Sequence, residues 1–162
     1  MCCREYARRV PDDLSAHVAP GMEELLSELR GRDGLRLALL TGNYEPVARL
    51  KLARAGIGDL FEPRQGGFGS DHEDRAALPG IARRRAGADG RPWPRERTIV
   101  IGDTPNDIAC ARADEVRVLA VATGPFPAAD LAAADAVAAD AAALAPLLEA
   151  ALLRDLRAIS PP

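Results

Sequence analysis

"RTIVIGDTPNDIACARA", Arg97 to Ala113, carries a strand signal, a turn and a helix signal in one short run. Thr98 to Ile101 is an unbroken apolar and β-branched stretch that stops at Gly102, which reads as a buried strand. "PNDIACARA" then opens a helical pattern with Pro105 in its first turn. Asp103 and Asp107 lie four residues apart across this junction. A carboxylate directly after a strand is expected to point into the crevice at the sheet's carboxyl edge, and Asp107, about one turn later, can join it there. Two uses remain open. The pair can hold Mg2+, a hard cation often bound by one or two carboxylates with water and phosphate completing the shell. Alternatively, Asp107 serves only to complement the helix N-terminus.

Working outward, the same alternation repeats. "PGMEELLSELRG" places Met22, Leu25, Leu26 and Leu29 at helical spacing. Leu37–Leu40 reads as a buried strand stopped by Thr41, Gly42 and Asn43, and "YEPVARLKLARAGI" as the helix after it. Arg64–Phe68 is a weak strand signal interrupted by two glycines, followed by the helix "DRAALPGIARRRAG". "VRVLAVATG" gives another strand, and the alanine-rich stretch from Ala128 onward reads as a helical tail. Strands alternating with helices predict an α/β domain with a parallel sheet whose ligands bind at the carboxyl edge.

A chain of 162 residues suits one domain and buries about two-thirds of its unfolded surface. Its 48% hydrophobic and 28% charged composition is globular, and a net charge of −3 gives no basic footprint for nucleic acid. "ARRRAG", Ala82 to Gly87, is the densest basic run and reads as a solvated helix face. Cys2, Cys3 and Cys110 have neither metal-ligand spacing nor a disulfide framework; Cys110 reads as a small core residue. No signal peptide is evident, and no apolar run reaches the ~18 residues of a membrane span, so a cytoplasmic protein without a membrane partner is expected.

Further candidates cluster at the same edge. Thr41, Gly42 and Asn43 offer a hydroxyl and turn amides suited to a phosphate oxygen, or else an ordinary turn in which Thr41 satisfies its own backbone. Two cations compete to neutralise phosphate. Lys51 lies well inside its helix, roughly 10 Å below the edge at ~1.5 Å per residue, and is expected to snorkel along the core. Arg75 opens a helix and so starts at the edge; geometry favours it. His72 sits in a polar loop and reads as a bystander.

Taken in order, "LALLTGN", "DRAALP" and "VIGDTPND" resemble the haloacid dehalogenase superfamily, in particular its phosphatases similar to phosphoglycolate phosphatase. The likeness runs from about Pro20 to Leu148. It implies a Rossmann-like parallel sheet with flanking helices and an Mg2+-dependent hydrolase acting on a small phosphorylated metabolite. Thr41 then matches the phosphate-binding Ser/Thr, with Gly42 and Asn43 in its turn. Asp103 matches the Mg2+-binding aspartate, and Asp107 its partner, acting directly or through water. Arg75 is the best match to the family's lysine, with the charge kept but not the compact ammonium.

One departure matters. The family's first motif is an apolar strand ending in Asp-x-Asp, whose first aspartate attacks phosphorus, and no Asp-x-Asp occurs in this sequence. Residues 1–19 resemble the end of the family's helical cap, and 20–162 its core domain, so the first strand and most of the cap are expected upstream of this stretch. The isolated chain is therefore expected to be inactive and prone to self-association through exposed sheet edges. Asp103 makes a poor substitute nucleophile because Pro105 stands where a general acid is wanted. A non-catalytic binding or scaffold domain and a phosphomutase are the alternatives.

Overall fold

The expected parallel α/β architecture is present, its strands divided between two sheets. The computed structural model describes residues 3–159. In chain order the elements are α1 (Cys3–Arg9), α2 (Met22–Arg30), β1 (Leu39–Thr41), α3 (Glu45–Arg54), β2 (Gly66–Phe68), α4 (Leu78–Ala86), β3 (Ile99–Gly102), α5 (Pro105–Ala113), β4 (Arg117–Val121), β5 (Ala136–Ala138) and α6 (Ala141–Ile159). β1 pairs with β2, Leu39 opposite Gly66 and Thr41 opposite Phe68. β3, β4 and β5 form a second sheet in that order, Ile99 opposite Arg117 and Leu119 opposite Ala136.

Side-chain alternation along β4 builds the main core. Leu119 and Val121 point to one face, where Leu25 and Leu29 of α2 meet Ala141, Leu144 and Leu148 of α6. Val118 and Ala120 point to the other, against Val100, Ile108, Ala111, Val116 and Leu131. Cys110 is buried on α5, as expected of a small core residue, and burial pushes its thiol pKa up. Among the described residues no helix is long and apolar enough to cross a membrane.

Four expectations need correction. The alanine-rich tail is not one helix: it hides the short strand β5 before α6 begins. Alanine favours helix locally, but β4 offers an open ladder, and Asp135 ties the approach to it by accepting from the Val118 amide at 2.8 Å. The first strand is shorter and later than Leu37–Leu40, because only three rungs pair with β2 and the opposite edge is unpaired. The run Thr98–Ile101 is not buried throughout; Ile101 is 38% exposed, since β3 has a neighbour on one side only. Finally, "ARRRAG" is a solvated face only in part, with Arg84 and Arg85 exposed but Arg83 buried. Arg83 turns inward to pair with buried Asp114, and Arg85 makes a two-pronged contact with Asp71 at 2.7 Å on each oxygen.

The glycines that weakened the β2 signal have a packing cause. A Cβ on Gly67 would overlap the Leu78 carbonyl, so α4 can lie directly on β2 only if this residue is glycine. At the other end of the chain, Arg54 of α3 donates to the carbonyls of Ala7, Val10 and Pro11, tying the end of α1 to the core.

β1 and β3 each leave one edge unpaired. These edges flank a common apolar slot: Leu37–Leu40 line one wall and Thr98–Ile101 the other.

Candidate functional site

The chain leaves β1 through Thr41, Gly42 and Asn43 in a tight side-chain-stabilised turn. The Thr41 hydroxyl accepts from the Asn43 amide at 3.1 Å and from Asn43 Nδ2 at 3.0 Å. Accepting twice leaves its own proton free to donate to an anion. Gly69, just after β2, packs against this turn: its amide donates to the Asn43 carbonyl at 3.0 Å, and a Cβ on it would overlap Gly42.

At the end of β3, Asp107 closes the turn into α5. Thr104 caps the helix while Asp107 reaches back, a reciprocal capping box. Asp107 Oδ2 accepts from the Asp103 amide at 3.2 Å, the Thr104 amide at 3.1 Å and the Thr104 hydroxyl at 2.8 Å. Its Oδ1 takes the Arg75 guanidinium. Both oxygens are thus engaged, and the carboxylate is buried. Asp103 differs. Its half-buried carboxylate receives no hydrogen bond or ion pair from any described residue.

Arg75 joins the two strand ends. It opens a short 3₁₀ turn, Arg75–Ala77, capped by the Asp74 carboxylate on the Ala76 amide at 2.9 Å. Its guanidinium pairs with Asp107, while Nη1 lies 3.4 Å from where a Cβ on Gly42 would stand. Its Nε is buried with no partner among the described residues. Hence "TGN", Arg75 and "GDTPND" meet at one edge, and β1 and β3 run in the same direction. Lys51 comes closer than its place in α3 suggested: Nζ reaches Asn43 Oδ1 at 3.4 Å and passes over the Tyr6 ring. Helical side chains lean toward the N-terminus, which carries Lys51 up toward the edge. His72 is exposed and bonds only within its own loop.

One residue escaped the sequence reading. Gly124, in "ATGPFP" after β4, lies so close to Asp103 that a Cβ there would overlap the carboxylate. The available signal was the threonine–glycine pair after a strand, the same pattern as at Thr41 and Gly42.

Among the described residues no group of three or more His, Cys, Asp or Glu side chains is arranged to hold a metal. What the edge does offer is one open carboxylate, Asp103, beside a hydroxyl and a guanidinium. That donor set suits a hard cation sharing a phosphate, not a metal caged by protein alone.

Comparisons with known proteins identify the family. A model of the haloacid dehalogenase-like hydrolases matches residues 2–112, and a related HAD-hydrolase-like model matches residues 76–150. A phosphoglycolate phosphatase of Rhodospirillum rubrum is 34% identical over 124 residues, covering 75% of this chain and 48% of that protein. A solved structure of a provisionally assigned beta-phosphoglucomutase from Bacteroides vulgatus superposes with a TM-score of 0.64 at 20% identity, over 84% of this chain and 54% of that one. The chain therefore spans about half the length of the relatives it matches. With the ordered edge motifs and the parallel α/β architecture, these matches establish that the chain belongs to the haloacid dehalogenase-like hydrolase family.

Proposed function

We propose that these residues form the metal- and phosphate-binding part of an Mg2+-dependent phosphatase acting on a small phosphomonoester. The observation that supports this best is Arg75, whose guanidinium pairs with Asp107 and lies beside Gly42 of the Thr41–Asn43 turn. The Thr41 hydroxyl and the Gly42 amide donate to phosphate oxygens, Arg75 neutralises charge beside them, and Asp103 holds the metal. Asp107 is a positioning residue: it fixes the Asp103 amide, the Thr104 turn and the Arg75 guanidinium. When bound, Mg2+ supplies Lewis-acid stabilisation of the transferring phosphoryl group. The covalent step requires a carboxylate that attacks phosphorus and releases the alcohol, and then water to cleave the acyl phosphate. No Asp-x-Asp is present among the 162 residues, so that carboxylate must come from another segment.

A second reading, a binding domain without chemistry, is favoured by that same absence. Phosphate binding and turnover separate the two claims. Calorimetry of the folded chain with orthophosphate should show binding that requires Mg2+ and is lost in Asp103→Asn. No binding by a folded chain would sink the site. With 2-phosphoglycolate the chain alone should show no turnover; robust hydrolysis abolished by Asp103→Asn would instead make Asp103 the nucleophile.

A further inference from the structure

A run of contacts reaches the Thr41–Asn43 turn from α1, an element that supplies none of the edge's own groups. Tyr6 of α1 lies against the Lys51 ammonium, 5.7 Å from ring centre to nitrogen. Lys51 Nζ donates to Asn43 Oδ1 at 3.4 Å, and Asn43 Nδ2 donates to the Thr41 hydroxyl at 3.0 Å. α1 is held in place for this. Arg54, about one turn further along α3 and so on the side of Lys51, donates to the carbonyls of Ala7, Val10 and Pro11. Its own carbonyl accepts from the Leu14 amide at 2.9 Å.

The group at the start of the run decides the direction of every hydrogen bond in it. An ammonium has donors and no acceptor, so the oxygen of the Asn43 amide must face it. The amide nitrogen is thereby left for Thr41. The Thr41 hydroxyl already accepts from the Asn43 backbone amide at 3.1 Å. With Nδ2 as a second donor its lone pairs are used and its proton points outward, toward an arriving anion. With the amide turned over, Oδ1 would take that proton, and a phosphate oxygen would meet a lone pair instead of a donor. Gly69 holds the Asn43 carbonyl separately at 3.0 Å, so the turn's backbone does not depend on Lys51. Only the side-chain amide has a choice.

We infer that Lys51 and Tyr6 are positioning residues for phosphate binding: the ring holds the ammonium, the ammonium sets the Asn43 amide, and the amide aims the Thr41 proton. This rests on the phosphate reading of the edge and brings α1 into it. The device acts through populations. Asn43 is exposed, so without Lys51 water satisfies either end of the amide and both orientations fill. With about half the molecules holding the hydroxyl proton inward, phosphate affinity falls about twofold. A lysine that neutralised the anion directly would act whatever Asn43 did.

The first measurement needs neither phosphate nor metal: exchange of the Asn43 Nδ2 protons with water, followed by NMR on the folded chain. Lys51→Met keeps an unbranched stem without the ammonium and should speed that exchange about threefold or more. Tyr6→Leu should move it the same way, while Tyr6→Phe, which keeps the ring, should leave it at the parent's value. The second measurement is calorimetry with orthophosphate and Mg2+. Lys51→Met should weaken binding about twofold in the parent but no further in Asn43→Ala, where Thr41 keeps its hydroxyl and no amide remains to turn. An equal loss in both backgrounds would make Lys51 a direct cation for phosphate and overturn the proposal. Unchanged Asn43 exchange in Lys51→Met or in Tyr6→Leu would overturn it too. Absence of orthophosphate binding by the parent would take down the phosphate reading and this device with it. A parent that binds, with variants that leave Asn43 unmoved, is failure of the device alone.

Discussion

Arg83 Nε donates to Asp114 Oδ2 at 2.6 Å and Nη2 donates to Oδ1 at 3.0 Å, a two-pronged pair with both side chains less than a tenth exposed. Arg83 belongs to α4, which covers β2, and Asp114 ends α5, which covers β3 and β4. The pair therefore clamps one sheet's helix to the other's. Arg83→Met should destabilise the fold by about 3–5 kcal/mol, because it strands a buried carboxylate beside the single exposed partner Arg95. Replacing Asp114 by leucine as well should recover much of the loss, and urea unfolding of the two variants measures both effects. A loss under 1 kcal/mol for Arg83→Met would show that the clamp contributes little.

The pH dependence follows from the same pair. Burial alone would raise the Asp114 carboxyl, but hydrogen bonds and charge from Arg83, with Arg95 adding to them, hold it below its ordinary value of 3.8. A depressed folded pKa means the unfolded chain binds the proton more readily. The stabilisation is thus fully present above pH ~4 and is lost as pH falls through the folded value. The melting temperature should drop on acidification below pH ~4, and drop less steeply in the Arg83→Met, Asp114→Leu double variant.

Asp107 and Asp103 separate by what each already holds. Asp107→Ala removes half of a capping box and the Arg75 partner, so it should cost about 1–2 kcal/mol of stability. Asp103→Asn removes no hydrogen bond or ion pair among the described residues and should leave stability within about 0.5 kcal/mol while abolishing Mg2+ binding. Thermal unfolding with Mg2+ titration reads both. The opposite ranking would exchange the two roles.

Much of this was legible because the informative signals are local. "TIVIG" followed by "DTPND" encodes a strand, a cap and a helix within one turn of each other, and β3 and α5 fall there. β5 was hidden because Ala136–Ala138 offers a single strand-favouring residue, Val137, between alanines; the waiting edge of β4 makes it a strand. The arginine cluster misled because a count of charges does not reveal which guanidinium faces a buried carboxylate 31 residues away. Gly124 likewise acquires meaning only when the fold brings it against Asp103.

For the cations, Arg75 sits in the edge itself and Lys51 supports it from Asn43. Arg75→Ala should weaken Mg2+-dependent orthophosphate binding by about tenfold or more, because it removes charge beside the anion and frees Asp107 to move. Lys51→Ala should cost about threefold or less, since its ammonium meets an amide oxygen at 3.4 Å and shares its charge with the Tyr6 ring. Calorimetry on both variants decides, and a larger loss for Lys51→Ala would make it the phosphate cation.

Gly124 offers the sharpest separation of site geometry from stability. It stands in ordinary backbone conformation, so alanine there is free of left-handed strain, but its methyl group would overlap the Asp103 carboxylate. Asp103 has no hydrogen-bond or ion-pair partner among the described residues and can rotate away cheaply, so stability should change by less than about 0.5 kcal/mol. The rotation takes the open carboxylate out of line with Thr41 and Arg75, and small misplacements at such sites are costly. Gly124→Ala should therefore weaken Mg2+ binding about tenfold or more in a protein of nearly unchanged melting temperature. Gly90→Ala gives the converse control: with φ at +73° and nothing within 4 Å, it should lose about 1 kcal/mol to backbone strain and keep its Mg2+ affinity. If Gly124→Ala binds Mg2+ as the parent does, Asp103 is not the metal's ligand in this edge, and the assignment of the open carboxylate falls with it.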